Sequence, residues 1–288
     1  MSKLKHGAAM AAFAIAALCS CGGNAGSDGA AQADVDSLAT RADMTLVLDS
    51  IKVHWLKDNE GDKLMPPALF DAPDSLMSRL GLLEGVPSSV SAFLVECGGR
   101  RILFDTGNGA ADSRLMAELD SLGLDGGDID YVMLTHLHGD HIGGMLLDGD
   151  VVFDCAEVYV ARQEYDGWRQ MPDGKGARAM EVLGRYGERL HLFEYGDSLP
   201  CGVVALEASG HTPGHTAYRI GQLLVAGDLI HGVALQLSCP DYCASYDMDK
   251  VRAVRTRRAM MDYACDEGLT VVGMHFPPTL YVDCLMDE

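Results

Sequence analysis

From residue 44 onward the chain alternates between two hydrophobic rhythms. Residues 44–56 alternate apolar and polar side chains, the period of a strand with one buried face. Residues 91–96 and 101–104 flank Gly98-Gly99 and predict a hairpin. Residues 111–122 put Leu115, Leu119 and Leu122 on one stripe, which predicts a helix. Residues 131–134 and 157–161 read as short apolar strands, the second followed by a helix from Arg162. Residues 190–193, 203–208, 217–220, 223–226 and 269–272 give a strand-rich second half. A long helix is predicted over 249–267, with Val251, Val254, Ala259 and Met261 among its apolar residues. Two β-rich halves with helices outside predict a layered α/β protein. Residues 57–89 contain prolines and show weak periodicity, so they are expected to form a lid or binding loop.

The first residues follow different logic. Lys3 and Lys5 precede an apolar run over 8–18, too short to span a membrane as a mature helix and basic in front, as in an export signal. Leu18-Cys19-Ser20-Cys21 resembles a bacterial lipoprotein cleavage box, which implies cleavage before Cys21 and a lipid on its sulfur. Residues 1–20 are thus expected to be a signal, 21–43 a flexible tether and 44–288 one domain anchored to a bacterial membrane, on the periplasmic side or cell surface. Beyond the signal, seven scattered cysteines form no dense disulfide framework, and buried free thiols are expected. An oxidising compartment would permit a bridge between Cys239 and Cys243, the one close pair.

Composition narrows the partners. At 48% hydrophobic and 22% charged residues, the chain is neither disordered nor fibrous. Its formal net charge of −20 repels phosphate backbones, so a small molecule is expected as substrate and no nucleic acid.

Candidate chemistry is concentrated in Thr135-His136-Leu137-His138-Gly139-Asp140-His141, directly after a predicted strand. Residues two apart in extended chain point the same way, so His136 and His138 can chelate one metal together. Asp140 and His141 are better placed for a second metal, or a water beside it. Three more segments end strands in the same manner: Ser209-Gly210-His211, Ala226-Gly227-Asp228 and Gly273-Met274-His275. Such a set is rich in imidazole and carboxylate and lacks thiolate, which suits zinc, manganese or iron. His215 is expected to order its turn or support a ligand. His6, His54 and His191 read as ordinary histidines.

With these motifs the chain resembles the metallo-β-lactamase-fold hydrolase superfamily over residues 44 to the end. Leu103-Phe104-Asp105-Thr106-Gly107 is similar to its early turn, in which the Asp is structural. The resemblance implies an αβ/βα four-layer sandwich of one domain with two divalent metal ions at one edge. It implies His136, His138 and His211 on the first ion, Asp140, His141 and His275 on the second, and Asp228 bridging both. The bridging Asp argues against antibiotic hydrolysis. Thirteen residues follow His275, leaving no room for the helical domain of glyoxalase II. Within the superfamily, Gly227-Asp228-Leu229-Ile230-His231 and His275-Phe276-Pro277 resemble the branch of quorum-signal lactonases and methyl-parathion-hydrolase-like proteins. His231 stands where those lactonases often carry Tyr.

The expected chemistry is hydrolysis. Two cations sharing a water lower its pKa toward neutrality, and the resulting hydroxide attacks an ester, lactone or related centre. Asp140 would orient the nucleophile and shuttle a proton, and His231 is the candidate for protonating the leaving alkoxide. Two other classes stay open at this point: a mononuclear iron enzyme like the persulfide dioxygenases, and a metal-binding lipoprotein without turnover.

Overall fold

The computed structural model describes residues 12–14, 45–278 and 281–284. Of the expected signal and tether, only the backbone of Ala12–Ala14 falls within them, as a strand parallel to Tyr281–Asp283. Cys21 and His6 lie outside the described residues.

Two sheets carry the fold. The first has seven strands in the order Leu190–Phe193, Glu157–Ala161, Tyr131–Met133, Arg100–Phe104, Ser91–Cys97, Ile51–Lys57 and Thr45–Leu48. The second runs Ala12–Ala14, Tyr281–Asp283, Thr270–Val272, Leu223–Val225, Thr216–Ile220 and Val204–Glu207. Their inner faces meet in one core. Val53, Trp55, Phe93, Val95, Ile102 and Phe104 of the first sheet belong to the same buried cluster as Ala217, Leu223, Val225 and Val271 of the second.

The central strands of the first sheet are apolar on both faces, because both are covered. Phe93 and Val95 point to the inter-sheet core, while the intervening Leu94 packs outward with Leu103, Val132 and Val158. That outer layer is closed by the helices Leu115–Ser121 and Ala177–Gly184, through Leu115, Leu119, Val182 and Leu183. On the other side, the long helix Lys250–Asp266 buries Ala253, Arg257, Met260 and Ala264. Asp249 caps this helix, its side chain accepting from Arg252 N at 2.9 Å. Helix, sheet, sheet, helix is the expected αβ/βα order.

Several expectations change in detail. Residues 44–56 are two strands, because the chain reverses at Asp49, φ 49°, between Leu48 and Ile51. The hairpin at Gly98-Gly99 has φ 58° and 79°, a turn that two glycines adopt freely and most other residues only at a cost. The helix expected over 111–122 begins only at Leu115. Buried Asp58 accepts the N–H groups of Arg114 and Leu115, each at 3.1 Å, and fixes its start there. On the long helix, Val251 and Ala259 face solvent.

The segment after Lys57 differs most. It contains the paired strands Lys63–Met65 and Val86–Ser88 and the helix Asp74–Arg79. It folds around a small core of its own, in which Met65, Phe70, Leu76, Met77 and Val86 pack with Leu235 and Ala244. Cys239 and Cys243 are both free thiols, and the Cys243 thiol donates to Lys250 O at 3.5 Å.

Candidate metal centre

Strand direction gathers the candidate residues. Arg100–Phe104, Tyr131–Met133 and Glu157–Ala161 run parallel, so the loops holding Asp105 and residues 135–141 leave the first sheet at the same edge. Leu223–Val225 and Thr270–Val272 are also parallel, which puts Asp228 and His275 at one edge of the second sheet. The loop with His211 joins them, because Thr216–Ile220 runs antiparallel to Leu223–Val225.

Asp228 is reached through a backbone that only glycine permits. Gly227 has φ +56°, and a Cβ there would stand 2.5 Å from His215 Nε2. That same Nε2 accepts the Asp228 N–H at 2.9 Å. His215 therefore fixes the turn that presents Asp228, as expected for a support residue.

Three imidazole nitrogens converge in a triangle. His136 Nε2 and His211 Nε2 each lie 2.9 Å from His138 Nδ1 and 3.2 Å from one another. Asp228 Oδ2 stands 3.7 Å from His136 Nε2 and 3.4 Å from His211 Nε2. Ligands on a tetrahedral ion at about 2.0–2.1 Å would be roughly 3.3 Å apart, so these four atoms fit such a shell. A second group lies beside it. His141 Nε2 is 3.3 Å from Asp228 Oδ1 and 3.8 Å from Asp140 Oδ1. His275 Nε2 is 3.1 Å from Asp228 Oδ2 and 3.4 Å from Asp140 Oδ2.

Tautomers show what these atoms lack. His211 Nδ1 donates to Asp247 Oδ1 at 3.0 Å, His141 Nδ1 to Asp105 Oδ2 at 2.7 Å, and His275 Nδ1 to Ser89 O at 2.8 Å. His136 Nδ1 meets Thr135 Oγ1 at 3.0 Å, and that hydroxyl already donates to Asp105 Oδ2. In each neutral ring the proton is thus used on the outside, and the inner nitrogen presents a bare lone pair. His136 faces His211 lone pair to lone pair, and His141 Nε2 and Asp228 Oδ1 are buried without a hydrogen-bond partner. Converging lone pairs and carboxylates call for cations, and the donor set fits a metal.

Electrostatics agree for the first ligand group, while in the second the carboxylates favour a proton that a bound cation would displace. Burial, and then His141, hold His136 well below the usual imidazole range; burial and His211 push His138 down to about 3. Both are therefore neutral at physiological pH, as a ligand must be. Burial would also lower His141, but Asp228, Asp105 and Asp140 overturn it and raise it well above its ordinary value.

His231 sits within the same cluster. Its ring stacks on His275 at 5.5 Å between centroids, its Nε2 lies 3.3 Å from Asp228 Oδ2, and neither ring nitrogen has a hydrogen-bond partner. Burial lowers it, against the pull of Asp228. His138 and Asp140 are partly exposed, so the site opens on their side. His54 and His191 lie elsewhere, paired with Glu96 and Glu157.

Two supporting residues carry no motif and escape sequence reasoning. Glu164, fully buried, accepts from Leu137 N at 3.1 Å, Trp168 Nε1 at 2.6 Å, Thr212 Oγ1 at 2.8 Å and Gly214 N at 2.7 Å. It fastens the loop of His136 to the loop of His211. Its one sequence signal is Trp168, a helical turn later. Glu164→Ala strands four buried donors at about 3–5 kcal/mol. The melting temperature should fall by roughly 10 °C, measurable by calorimetry. Arg257, 1% exposed, donates to Leu229 O and Pro240 O, each at 2.6 Å, and to Asp247 at 3.2 Å. Asp247 holds His211 in turn. Burial raises the Asp247 carboxyl, but the His211 hydrogen bond and nearby positive charge bring it down to about 2.

A family model described as the metallo-beta-lactamase superfamily matches residues 85–239. The crystal structure of hydrolase AbOPH, of the beta lactamase superfamily, aligns with a TM-score of 0.73 at 26% identity, over 85% of this chain and 97% of that one. AidC, a dizinc quorum-quenching lactonase solved with a product, shares the fold at a TM-score of 0.73 and 23% identity, over 81% and 90% of the two chains. In sequence, the chain is 28% identical over 184 residues to N-acyl homoserine lactonase AttM of Azorhizobium caulinodans, 58% of this chain and 65% of that protein. It is 29% identical over 156 residues to metallo-beta-lactamase domain-containing protein 1 of Xenopus laevis, 46% of this chain and 64% of that one. The chain thus spans under two thirds of the length of these curated relatives.

Proposed function

We propose, from the premise that this chain belongs to the metallo-β-lactamase superfamily, that it is a two-metal hydrolase opening the ester or lactone bond of a small molecule. One observation carries the reading: the inner lone pairs fall into two sets that share Asp228. His136, His138 and His211 would hold the first cation, Asp140, His141 and His275 the second, and Asp228 both. Zinc suits this donor set best, with manganese or iron as substitutes. Two divalent cations there would lower the pKa of a shared water and polarise a carbonyl oxygen.

The chain's own residues supply the rest. Asp140 lies at the open side, where its carboxylate can orient a water and take up its proton. Asp228 sets the spacing of the two ligand groups. His231 has an unpartnered Nδ1 and its Nε2 beside Asp228, and can give a proton to a leaving alkoxide. The names of AttM and AidC, both lactonases, support the substrate class. A lipid on Cys21 and a tether over 21–43 would hold the domain at a bacterial membrane surface.

Dialysis of the purified protein against a chelator should abolish hydrolysis of simple lactones and aryl esters, and added zinc should restore it. Elemental analysis of the active form should give two ions per chain. One iron per chain, with oxygen consumption and no hydrolysis, would overturn the reading in favour of an iron oxygenase.

A further inference from the structure

We infer that Cys265 and Cys284 are built to form an intramolecular disulfide that fastens the loop carrying His275. Their sulfurs lie 3.0 Å apart, although nineteen positions separate them in sequence. A disulfide is about 2.05 Å long, so closing the gap needs a shift of about 1 Å, within the reach of the two side chains.

Main-chain bonds set this approach. The long helix ends at Asp266, Gly268 N donates back to Cys265 O at 3.2 Å, and Leu269 N to Ala264 O at 2.8 Å. The chain then runs outward as Thr270–Val272 and returns antiparallel as Tyr281–Asp283, with Thr270 opposite Asp283. Cys284 N closes the return on Leu269 O at 3.1 Å. The two thiols therefore stand at the neck of one loop, and that loop contains Gly273-Met274-His275. The pair close in sequence, Cys239 and Cys243, makes no such contact, since the Cys243 thiol is turned to Lys250 O.

The two sulfurs differ in access. Cys265 is partly exposed and Cys284 is 6% exposed. Burial pushes the Cys284 thiol up to about 12, which leaves Cys265 to meet an oxidant first. With a small-molecule disulfide as oxidant, the Cys265 thiolate attacks one of its sulfurs, forming a mixed disulfide and releasing the other sulfur as a thiolate. Cys284, on losing its proton, then attacks Cys265 Sγ, and the second oxidant sulfur leaves as a thiolate. Two protein thiols become one disulfide, the oxidant's disulfide becomes two thiols, and the thiol protons are conserved.

The test uses the full chain in detergent, reduced, freed of reductant and then incubated with excess oxidised glutathione. The protein is denatured with iodoacetamide present and digested without reduction. A peptide linking Cys265 to Cys284 should dominate the mass spectrum. Free carbamidomethylated Cys265 and Cys284 would overturn the inference. The cross-link shortens the unfolded chain's freedom, so the oxidised protein should melt about 5–10 °C above the reduced one. This difference is best read in a Cys97→Ser background, because the Cys97 thiol meets Cys201. It should vanish when Cys284→Ser is added. A linked peptide with no rise in melting temperature would show that the bond fastens nothing. Both readouts are independent of hydrolysis, so they can fail or succeed apart from the proposed activity.

Discussion

Asp228→Ala is expected to remove metal and activity together, with turnover falling at least about 10³-fold. The size follows from position. Asp228 Oδ2 lies within 3.1–3.7 Å of nitrogens from both ligand groups, and Oδ1 within 3.3 Å of His141. Among the described carboxylates Asp228 forms close pairs with inner ring nitrogens of both groups, whereas the close pairs of Asp140 are with His141 and His275. Alanine would also leave the raised His141 facing one less negative charge, so a cation that still bound would be held by fewer and less balanced donors. Metal counted by mass spectrometry should drop from two ions per chain to one or none. Two tightly held ions and full turnover in this variant would remove Asp228 from the shared position.

His231→Ala is expected to separate substrates by their leaving groups. An alkoxide leaving from an alkyl ester or lactone needs a proton in the transition state, and a general acid there contributes about 10²–10⁴-fold. A nitrophenolate leaves without one. The variant should therefore lose about 10²-fold or more on a lactone and little on a nitrophenyl ester, with metal content unchanged. The geometry permits this role, because Nδ1 is unpartnered and Nε2 stands 3.3 Å from Asp228 Oδ2, while the backbone is fixed by His231 N donating to Gln236 Oε1 at 2.7 Å. Equal losses on both substrates would make His231 a positioning residue for Asp228, and the proton would have to come from Asp140 or water.

The candidate ligands were legible in the sequence because each sits in a short local pattern at the end of an apolar strand. Strand ends in parallel neighbours share an edge, so the pattern alone implied a common site. Glu164 and Arg257 had no such signal. An isolated Glu or Arg in a polar helix reads as solvated, and only the approach of loops some fifty residues away turns Glu164 into a buried acceptor. The same limit explains the helix before Ser121, whose start is set by Asp58, 57 residues upstream of Leu115. Residues 57–89 were opaque because Met65, Phe70 and Leu76 match no single period. They become a core only against Leu235 and Ala244, from the far half of the chain. Cys265 and Cys284 were likewise invisible as a pair until the last strand returned beside the helix end.

The seam between that segment and the last ligand has a consequence for how the protein can diverge. Ser88 Oγ donates to His275 O at 3.1 Å, Ser89 Oγ to Phe276 O at 2.6 Å, and Ser89 O receives the His275 ring proton. Residues 57–89 and the loop of the candidate ligand His275 are thus stitched by the same few atoms. Drift at the segment's outer positions, such as the exposed Leu64 and Leu83, leaves these bonds intact. At Ser88 and Ser89 it does not, because any change of outline there also tilts the imidazole of His275. Variation in descendants of this chain is therefore expected in the middle of the segment, with Ser88 and Ser89 left intact.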